Sequence, residues 1–307
     1  MGSVDAGPPD DPQPETGRSA RRRARRAELK ARLERLVERA QAERQRHESV
    51  DVLFDMADRD LEAGGGIIAG ALAYRLFLWL LPVALVSVGG LGLASDAVAE
   101  TPEEAARTLG ASALVSSSVA NAAQGPGRWY ALVIGIPILV WVTRSLLRAL
   151  IVTHRLLWKD VRASAPKPTV VGTFRLLALL LGLSITGTAA AAMRAWSPGP
   201  GVVVTILMIL PTAAIWLLVT LYLPHRGARW TALVPGALAG ALGLELIHVF
   251  TAYVLVPYAS AKEGTYGALG AAAALLLGLF FVSRLIVGAA VLNATLWERR
   301  EANRAAG

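Results

Sequence analysis

The chain has 307 residues, of which 54% are hydrophobic and only 18% are charged, and its mean hydropathy is +0.47. Soluble domains are about 45–50% apolar and about 25% charged, so this composition is typical of a membrane protein. It excludes a disordered chain and an ordinary cytosolic enzyme, and the absence of cysteine excludes a disulfide scaffold and thiolate-bound metals. The formal net charge of +8 makes the position of the basic residues the first question.

The polar N-terminal part of the chain divides into three segments. Residues 1–17 are rich in Pro, Gly and Asp, which predicts disorder. Residues 18–46 carry twelve Lys and Arg against four Glu, with one narrow apolar stripe, which predicts a basic cytoplasmic helix over 18–49. Residues 50–63 are amphipathic and are predicted to form an elbow helix in the membrane interface.

Two interpretations of the basic helix remain open. It is either a solvated helix or short coiled coil, or it docks on the anionic cytoplasmic leaflet, where each basic residue contributes about 1 kcal/mol. No nucleic-acid partner is expected, because no folded reader of nucleic acid accompanies the basic run.

Six long apolar runs follow the N-terminal segments. A helix that spans the hydrocarbon core needs about 20 apolar residues, and each run has about that length. The sequence therefore predicts an all-α polytopic protein, with a six-helix bundle in a membrane domain over 64–297 and a short cytoplasmic tail over 298–307. The predicted spans are about 66–94, 129–153, 170–193, 201–223, 231–257 and 266–292. The outer connection over 95–127 is the only long one, and Thr101 followed by Pro102 predicts a short helix within it.

Basic residues are distributed unequally between the two sides of these spans. Twenty-two Lys and Arg fall on the side that includes both termini, whereas the opposite side holds Arg107, Arg128, Arg194 and Lys262. The positive-inside rule therefore places both termini in the cytoplasm. Residues 1–62 have a net charge of −1 and residues 63–307 one of +9, so the basic excess belongs to the membrane domain.

Ionisable side chains within the apolar runs form the candidate site. Such groups cost several kcal/mol unless they are paired or wetted, which makes them functional candidates. The helical rise places the arginines in the cytoplasmic half of the bundle and Glu245 nearer its midplane. We expect an arginine-lined cavity open to the cytoplasm, with Glu245 as the internal counter-ion. The substrate-binding candidates are Arg75, Arg144, Arg148, Arg284, Glu245, His248 and Tyr74.

Each candidate also has a structural interpretation. Arg144 and Arg148 have side chains long enough to snorkel to the headgroups. An arginine paired with Glu245 would join two helices without binding a substrate. His248 is more often a hydrogen-bonded residue of the bundle than a proton relay, and Tyr74 is most simply a packed aromatic.

Small residues predict where helices pack closely. Gly66 and Gly70 have the GxxxG spacing, and Gly236, Gly240 and Gly243 form a stripe on the fifth run. This stripe predicts that the fifth helix packs inside the bundle.

Catalytic and metal-binding motifs are absent from the sequence. No nucleotide-binding, zinc-protease or nucleophile pattern is present, so we expect a protein that is not an enzyme and that uses no cofactor or metal. His47, His154 and His225 fall in predicted cytoplasmic segments, far apart in the sequence.

Four segments between residues 50 and 300 form a recognisable series. They are ALAYRLFLWLLPVALVSVGGLG (71–92), WVTRSLLRALIVTHRLLW (141–158), LPHRGARWTALVPGALAGALGLEL (223–246) and TYGALGAAAALLLGLFFVSRLIVGAAVLNA (265–294). Together they resemble the YihY/BrkB family of bacterial inner-membrane proteins. The resemblance implies a six-helix bundle in the bacterial inner membrane with both termini in the cytoplasm. Names attached to that family include a virulence or serum-resistance factor, a lipid or lipopolysaccharide transporter and a ribonuclease. This sequence offers no metal-binding cluster to support the last.

The leading hypothesis is a transporter or flippase-like carrier of an anionic lipid or another anionic solute, held by bidentate arginines. Membrane lipids are the expected partners, and the oligomeric state is open, a homo-oligomer included. The alternative is a scaffold that does not transport and recruits lipid or cytoplasmic partners through its basic tail. A membrane hydrolase is disfavoured, because the spans hold a single carboxylate, that of Glu245.

Overall fold

The structure is a computed structural model that describes residues 47–98, 128–160, 168–196, 202–250 and 263–307, and seven positions between 25 and 35. These described residues form helices and turns without a strand, which confirms the all-α prediction. The chain divides into two compact units, Met1–Phe54 and Asp55–Gly307. In the first unit, the described positions between 25 and 35 are helical and exposed. The predicted disorder over 1–17 and most of the predicted loop over 95–127 lie outside the described residues.

Seven helices are bounded within the described residues, and they are numbered in chain order. They are α1 (Glu48–Glu62), α2 (Gly65–Val98), α3 (Arg128–Leu157), α4 (Val170–Trp196), α5 (Val202–Tyr222), α6 (Trp230–Phe250) and α7 (Glu263–Ala306). Helix α1 overlaps the predicted elbow helix, and α2 to α7 overlap the six apolar runs.

Helices α2, α3, α4, α6 and α7 each contain a segment long and apolar enough to cross a membrane. Helix α5 has a shorter apolar run, Ile206–Tyr222. Its 21 residues nevertheless extend about 31 Å, which is close to the thickness of a hydrocarbon core. The structure thus supports a membrane protein with several apolar helices, whereas the sixth crossing and the side on which the termini lie stay predictions.

Helices α2 to α7 pack in a ring. Each of them contacts the next along the chain, and α7 returns to contact α2, which closes the ring. The contact between α2 and α3 is the most extensive. Helix α7 also contacts α3.

Close packing within the ring depends on the predicted stripe of small residues on α6. A Cβ at Gly240 would overlap the indole of Trp216 on α5, and a Cβ at Gly243 would overlap Leu285 on α7. Glycine at these positions lets α6 fit between its two neighbours, as predicted. Gly66 and Gly70 differ, because a Cβ at either position would meet nothing within 4 Å in the described part of the chain.

A buried amide joins α6 to α7. The Asn293 Oδ1 accepts a hydrogen bond of 2.7 Å from the backbone N–H of Gly236, and its Nδ2 donates one of 3.1 Å to the carbonyl of Leu233. Asn293 is only 1% exposed, so these bonds satisfy a polar group that would otherwise be costly to bury. The sequence analysis did not single out this residue.

One end of the bundle gathers α1, the last turn of α3, the turn between α5 and α6, and the C-terminal part of α7; we call it the α1 end. The Lys159 Nζ lies 3.0 Å from the Glu62 carboxylate, which ties the end of α3 to α1. Arg226, in the turn before α6, lies 3.6 Å from the Glu298 carboxylate of α7. Its guanidinium also stacks over the ring of Trp297, 5.1 Å from the centroid.

Two helices at this end extend beyond the predicted spans. Helix α7 continues without a break to Ala306, through the predicted end of the span at 292 and through most of the predicted tail. Helix α3 continues to Leu157, so His154 lies in its last turn, and its predicted place on the cytoplasmic side stays a prediction. The physical reason is that ion pairs and buried aromatic contacts at the α1 end support these last turns after the apolar pattern has ended.

Candidate functional site

The helices of the ring line a partly open cavity of about 200 Å³. All six helices of the ring contribute side chains to its wall, and most of these side chains are leucines, such as Leu76 on α2, Leu150 on α3 and Leu180 on α4. The wall includes two indoles, those of Trp79 and Trp216, and the described residues contribute no Asp, Glu, Lys or Arg to it. A wall of this kind is suited to contact hydrocarbon.

Three polar side chains interrupt the leucine wall: His154, Ser184 and Thr220. His154 is 3% exposed, and its Nδ1 lies 3.1 Å from the carbonyl oxygen of Leu150, one turn earlier. Its Nε2 is buried and has no hydrogen-bond partner among the residues described here. His154 lies on the same face of α3 as Leu146 and Leu150, at a spacing of four residues, and this face lines the cavity.

Charged side chains meet instead at the α1 end. The guanidinium of Arg284 donates two hydrogen bonds of 3.0 Å to the carboxylate of Asp60, one to each oxygen. This bidentate geometry is the strongest form of such a pair. Asp60 lies five residues before Gly65, so Arg284 is held close to the start of α2.

The triple glycine Gly64–Gly66, where α1 ends and α2 begins, permits the ion pair between Asp60 and Arg284. Gly64 has a φ of +68°, which ends α1 and lets α2 begin at the next residue. Gly65 lies directly against Asp60, and a Cβ there would overlap its carboxylate. Gly66 faces open space among the described residues. Gly64 therefore forms the turn, Gly65 leaves room for Asp60, and Gly66 has no packing role among the described residues.

Two more ion pairs fasten α1 to α7. The Arg299 Nε and Nη2 lie 2.8 Å and 2.5 Å from the Asp55 Oδ2. The buried Arg59 places its Nη2 2.5 Å from the Glu298 carboxylate. These residues also line a polar cleft of about 290 Å³ between α1, the end of α3 and α7. The α1 end is thus a network of alternating charges that fixes one short helix to the ring.

Arg75 is hydrogen-bonded between two neighbouring helices of the ring. Its guanidinium donates a hydrogen bond to the hydroxyl of Ser145 on α3 and a longer one, of 3.4 Å, to the backbone carbonyl of the same residue. Nearby, the Trp79 Nε1 donates a bond of 3.0 Å to the hydroxyl of Thr143. Both bonds join α2 to α3, the pair of helices with the most extensive contact.

The remaining candidates from the sequence are dispersed. Arg144 and Glu245 are half-buried, whereas Arg148, His248 and Tyr74 are exposed on the outside of the ring. Neither the leucine-walled cavity nor the polar cleft is lined by any of the seven predicted residues. The structure therefore does not bring Arg75 and Arg284 to one site, and the anion-binding role of the seven residues stays a prediction.

Sequence reasoning missed the residues that structure brings together. The paired charges at the α1 end lie outside the apolar runs, where charged residues are common and do not indicate a site. They are Asp55, Asp60, Glu298 and Arg299. Complementary charge patterns on α1 and on the end of α7 would have pointed to their pairing. His154 lies one residue past the predicted span and so is not among the candidates, although its spacing from Leu146 and Leu150 places it on their face of the helix.

The described residues contain no group of three or more His, Cys, Asp or Glu side chains that could hold a metal ion.

Several apolar helices arranged in a ring, with an apolar interior and a charged end, define the class as a polytopic membrane protein. Residues 57–307 match the family model described as "Virulence factor BrkB". The chain therefore belongs to the BrkB family, as the resemblance of its segments predicted.

A curated relative supports the same class. The chain is 28% identical over 148 residues to a UPF0761 membrane protein of Rhodospirillum centenum, which covers 45% of this chain. The matched part spans 33% of that relative's own length. No solved structure matches the chain.

Proposed function

We propose that the ring carries a membrane lipid between the leaflets of the bilayer, with an apolar chain of the lipid in the leucine-walled cavity. The observation that carries the proposal is the cavity itself, because all six helices of the ring contribute to its wall. Burial of hydrocarbon there is favourable by about 25 cal/mol per Å² of apolar surface. Under this proposal the protein is a carrier and not an enzyme.

The cavity favours an amphiphile over a small anionic solute. Within the part of the chain that the structure describes, its wall offers no charged side chain, and an isolated anion in such surroundings would lose its hydration without compensation. His154 and Thr220 lie at the end of the cavity nearest the α1 end. Along the chain they are followed by basic residues, Arg155 and Lys159 after the first and Arg226 after the second. Lys159 and Arg226 are already paired with Glu62 and Glu298, so an anionic headgroup at that end would compete with these carboxylates.

The proposed location is the bacterial inner membrane, with the α1 end in the cytoplasm. The excess of basic residues in the segments at this end supports the orientation, by the positive-inside rule. Membrane lipids are then available to the ring from both leaflets.

A second candidate function is a scaffold that recruits partners through the basic tail. The exposure of the described helical positions between 25 and 35 favours it, because their basic side chains are accessible. The two functions separate in a deletion of residues 1–46. A carrier reconstituted without this tail keeps moving lipid, whereas a scaffold retains its fold and loses its partners.

The test of the carrier is to fill the cavity. Leu180 lines it, whereas the adjacent Leu181 does not and is 41% exposed, so Leu180→Trp and Leu181→Trp form a matched pair. The assay reconstitutes each full chain in vesicles with a fluorescent anionic phospholipid and measures how much becomes accessible to a membrane-impermeant quencher. We expect Leu180→Trp to slow the movement at least about tenfold and Leu181→Trp to leave it unchanged. Equal rates in both variants, with wild-type melting, would overturn the proposal.

A further inference from the structure

His154 presents an unused hydrogen-bond acceptor at the cavity. The Leu150 carbonyl only accepts hydrogen bonds, so the Nδ1 of His154, 3.1 Å away, carries a hydrogen. The neutral ring then leaves a lone pair on Nε2, and a charged ring among leucines would be costly. Nε2 is buried and lacks a hydrogen-bond partner within the described residues. Because buried polar groups are nearly always hydrogen-bonded, we expect a ligand to supply the donor for this nitrogen.

A second polar side chain of the cavity also presents an acceptor. The Thr220 hydroxyl donates to the carbonyl of Leu217 at 2.9 Å, so its hydrogen is used within its own helix and its oxygen can accept. The indole N–H of Trp79 is taken by Thr143. A molecule that pairs with the His154 Nε2 must therefore bring the donor itself.

The size of the cavity limits how much hydrocarbon accompanies that donor. Apolar cavities of about 150 Å³ hold a molecule as large as benzene, and this one is about 200 Å³. Such a volume suits part of one chain and not two chains side by side.

We propose that His154 binds, through Nε2, the terminal hydroxyl of a single-chain amphiphile, which is either a long-chain alcohol or a protonated fatty acid. The inference rests on the proposed function, since it assigns the polar anchor of the cavity that holds the lipid chain. The two molecules share the chemistry that the cavity requires, which is one apolar chain with one O–H donor at its end.

The test compares ligands that differ only in this donor. Native mass spectrometry of the detergent-solubilised full chain measures the bound fraction of dodecanol, of dodecanoic acid at a pH that protonates it, and of methyl dodecanoate, which has no donor. We expect the ester to bind at least about fivefold more weakly than the alcohol or the acid. If only one of these two binds more tightly than the ester, that result identifies the source of the hydroxyl.

Two variants assign the difference to His154. His154→Leu removes the acceptor and should abolish the preference over the ester, whereas His154→Gln keeps an acceptor on a side chain of similar length and should retain part of it. The ¹⁵N resonance of the His154 Nε2, assigned by its absence in His154→Gln, should move on addition of dodecanol and stay in place with the ester.

Equal binding of the ester by the wild-type chain, or an unchanged preference in a folded His154→Leu chain, would overturn the inference. The proposed carrier function would survive either result, because its own test fills the cavity at Leu180 and does not depend on His154. Absence of binding by all three ligands would also overturn the inference. The comparison of Leu180→Trp with Leu181→Trp would then still test the carrier function separately.

Discussion

The interior of the ring and the α1 end use opposite chemistry. The interior is a cavity walled by leucines in which one imidazole nitrogen has no partner among the described residues. At the α1 end, by contrast, Asp60, Arg284, Arg299 and Glu298 are all engaged in ion pairs. An apolar wall is suited to bind hydrocarbon, whereas a cluster of ion pairs is suited to hold elements together.

This contrast changes the role expected of charges in apolar segments. Arg75 and Arg284 are functional candidates by the cost of burial alone. In the structure each has a partner that joins two helices, Ser145 for Arg75 and Asp60 for Arg284. The two regions should therefore respond differently to mutation: the α1 end should change stability, and the interior should change lipid movement.

The largest expected effect comes from reversing a charge at the α1 end. Arg284→Glu replaces a bidentate ion pair with two facing carboxylates, and we expect it to lower the free energy of unfolding by about 3 kcal/mol. A loss of this size corresponds to about 9 °C in melting temperature, measured on the detergent-solubilised chain. Adding Asp60→Arg to this variant should recover at least half of the loss.

Arg300→Glu is the matched control for this reversal, because Arg300 is exposed on the same helix. It should melt within about 2 °C of the wild type. If Arg284→Glu melts like the control and instead stops lipid movement, Arg284 belongs to the binding site and the contrast between the two regions fails.

A smaller effect is expected at the triple glycine. Gly65→Ala places a Cβ against the Asp60 carboxylate and should cost about 2 kcal/mol, since either Asp60 or α2 must shift. Gly66→Ala enters open space and should be neutral or slightly stabilising, because alanine favours a helix. Thermal melting of the two single variants checks the difference. Equal melting would mean that Asp60 does not depend on the room at Gly65.

Variants of Arg75 test whether a charge in the wall of the ring joins two helices or binds the substrate. Arg75→Ala and Ser145→Ala each remove the bond between α2 and α3, so each should cost about 1 kcal/mol and the double variant no more than either alone. Lipid movement per folded molecule should stay at the wild-type rate in all three. Loss of movement in Arg75→Ala alone, with Ser145→Ala unaffected, would assign Arg75 to the substrate as the sequence analysis expected.

The smallest effect is expected at Lys159, where α3 ends. Its φ of +49° is unusual for a residue with a side chain, and its ion pair with Glu62 is exposed on both sides. Lys159→Gly should relieve the backbone and raise the free energy of unfolding by up to about 1 kcal/mol, because the exposed pair contributes less. Lys159→Ala, which loses the pair and keeps the backbone cost, is the comparison. A lower melting temperature for the glycine variant than for the alanine variant would contradict this account.

The sequence was sufficient for the class of fold and for much of the packing. Long apolar runs predicted the helices of the ring, because a spanning segment carries its own signal of length and composition. The stripe of Gly240 and Gly243 predicted a close contact, because a small residue at helical spacing has few other uses in an apolar helix. Both predictions depend only on residues near one another in the chain.

The site was not predictable in the same way. Asp60 and Arg284 are separated by 224 positions, and nothing local marks either as the partner of the other. Arg284 is a candidate because charged residues are rare within apolar runs. That rarity does not distinguish a residue that binds a substrate from one that joins two helices. The leucines of the cavity carry no local signal either, since a leucine that faces a cavity and one that faces lipid are alike in sequence.

The most direct test of the central claim is to locate the lipid chain on the protein. A phospholipid with a photoactivatable diazirine near the end of one chain is incorporated with the full chain in vesicles, and the adducts are mapped by mass spectrometry after illumination. The account predicts adducts on the inward face of the ring, at Leu76, Leu150 and Leu180. Adducts confined to outward residues such as Leu181, Leu207 and Leu246 would contradict it, because the lipid would then only surround the ring.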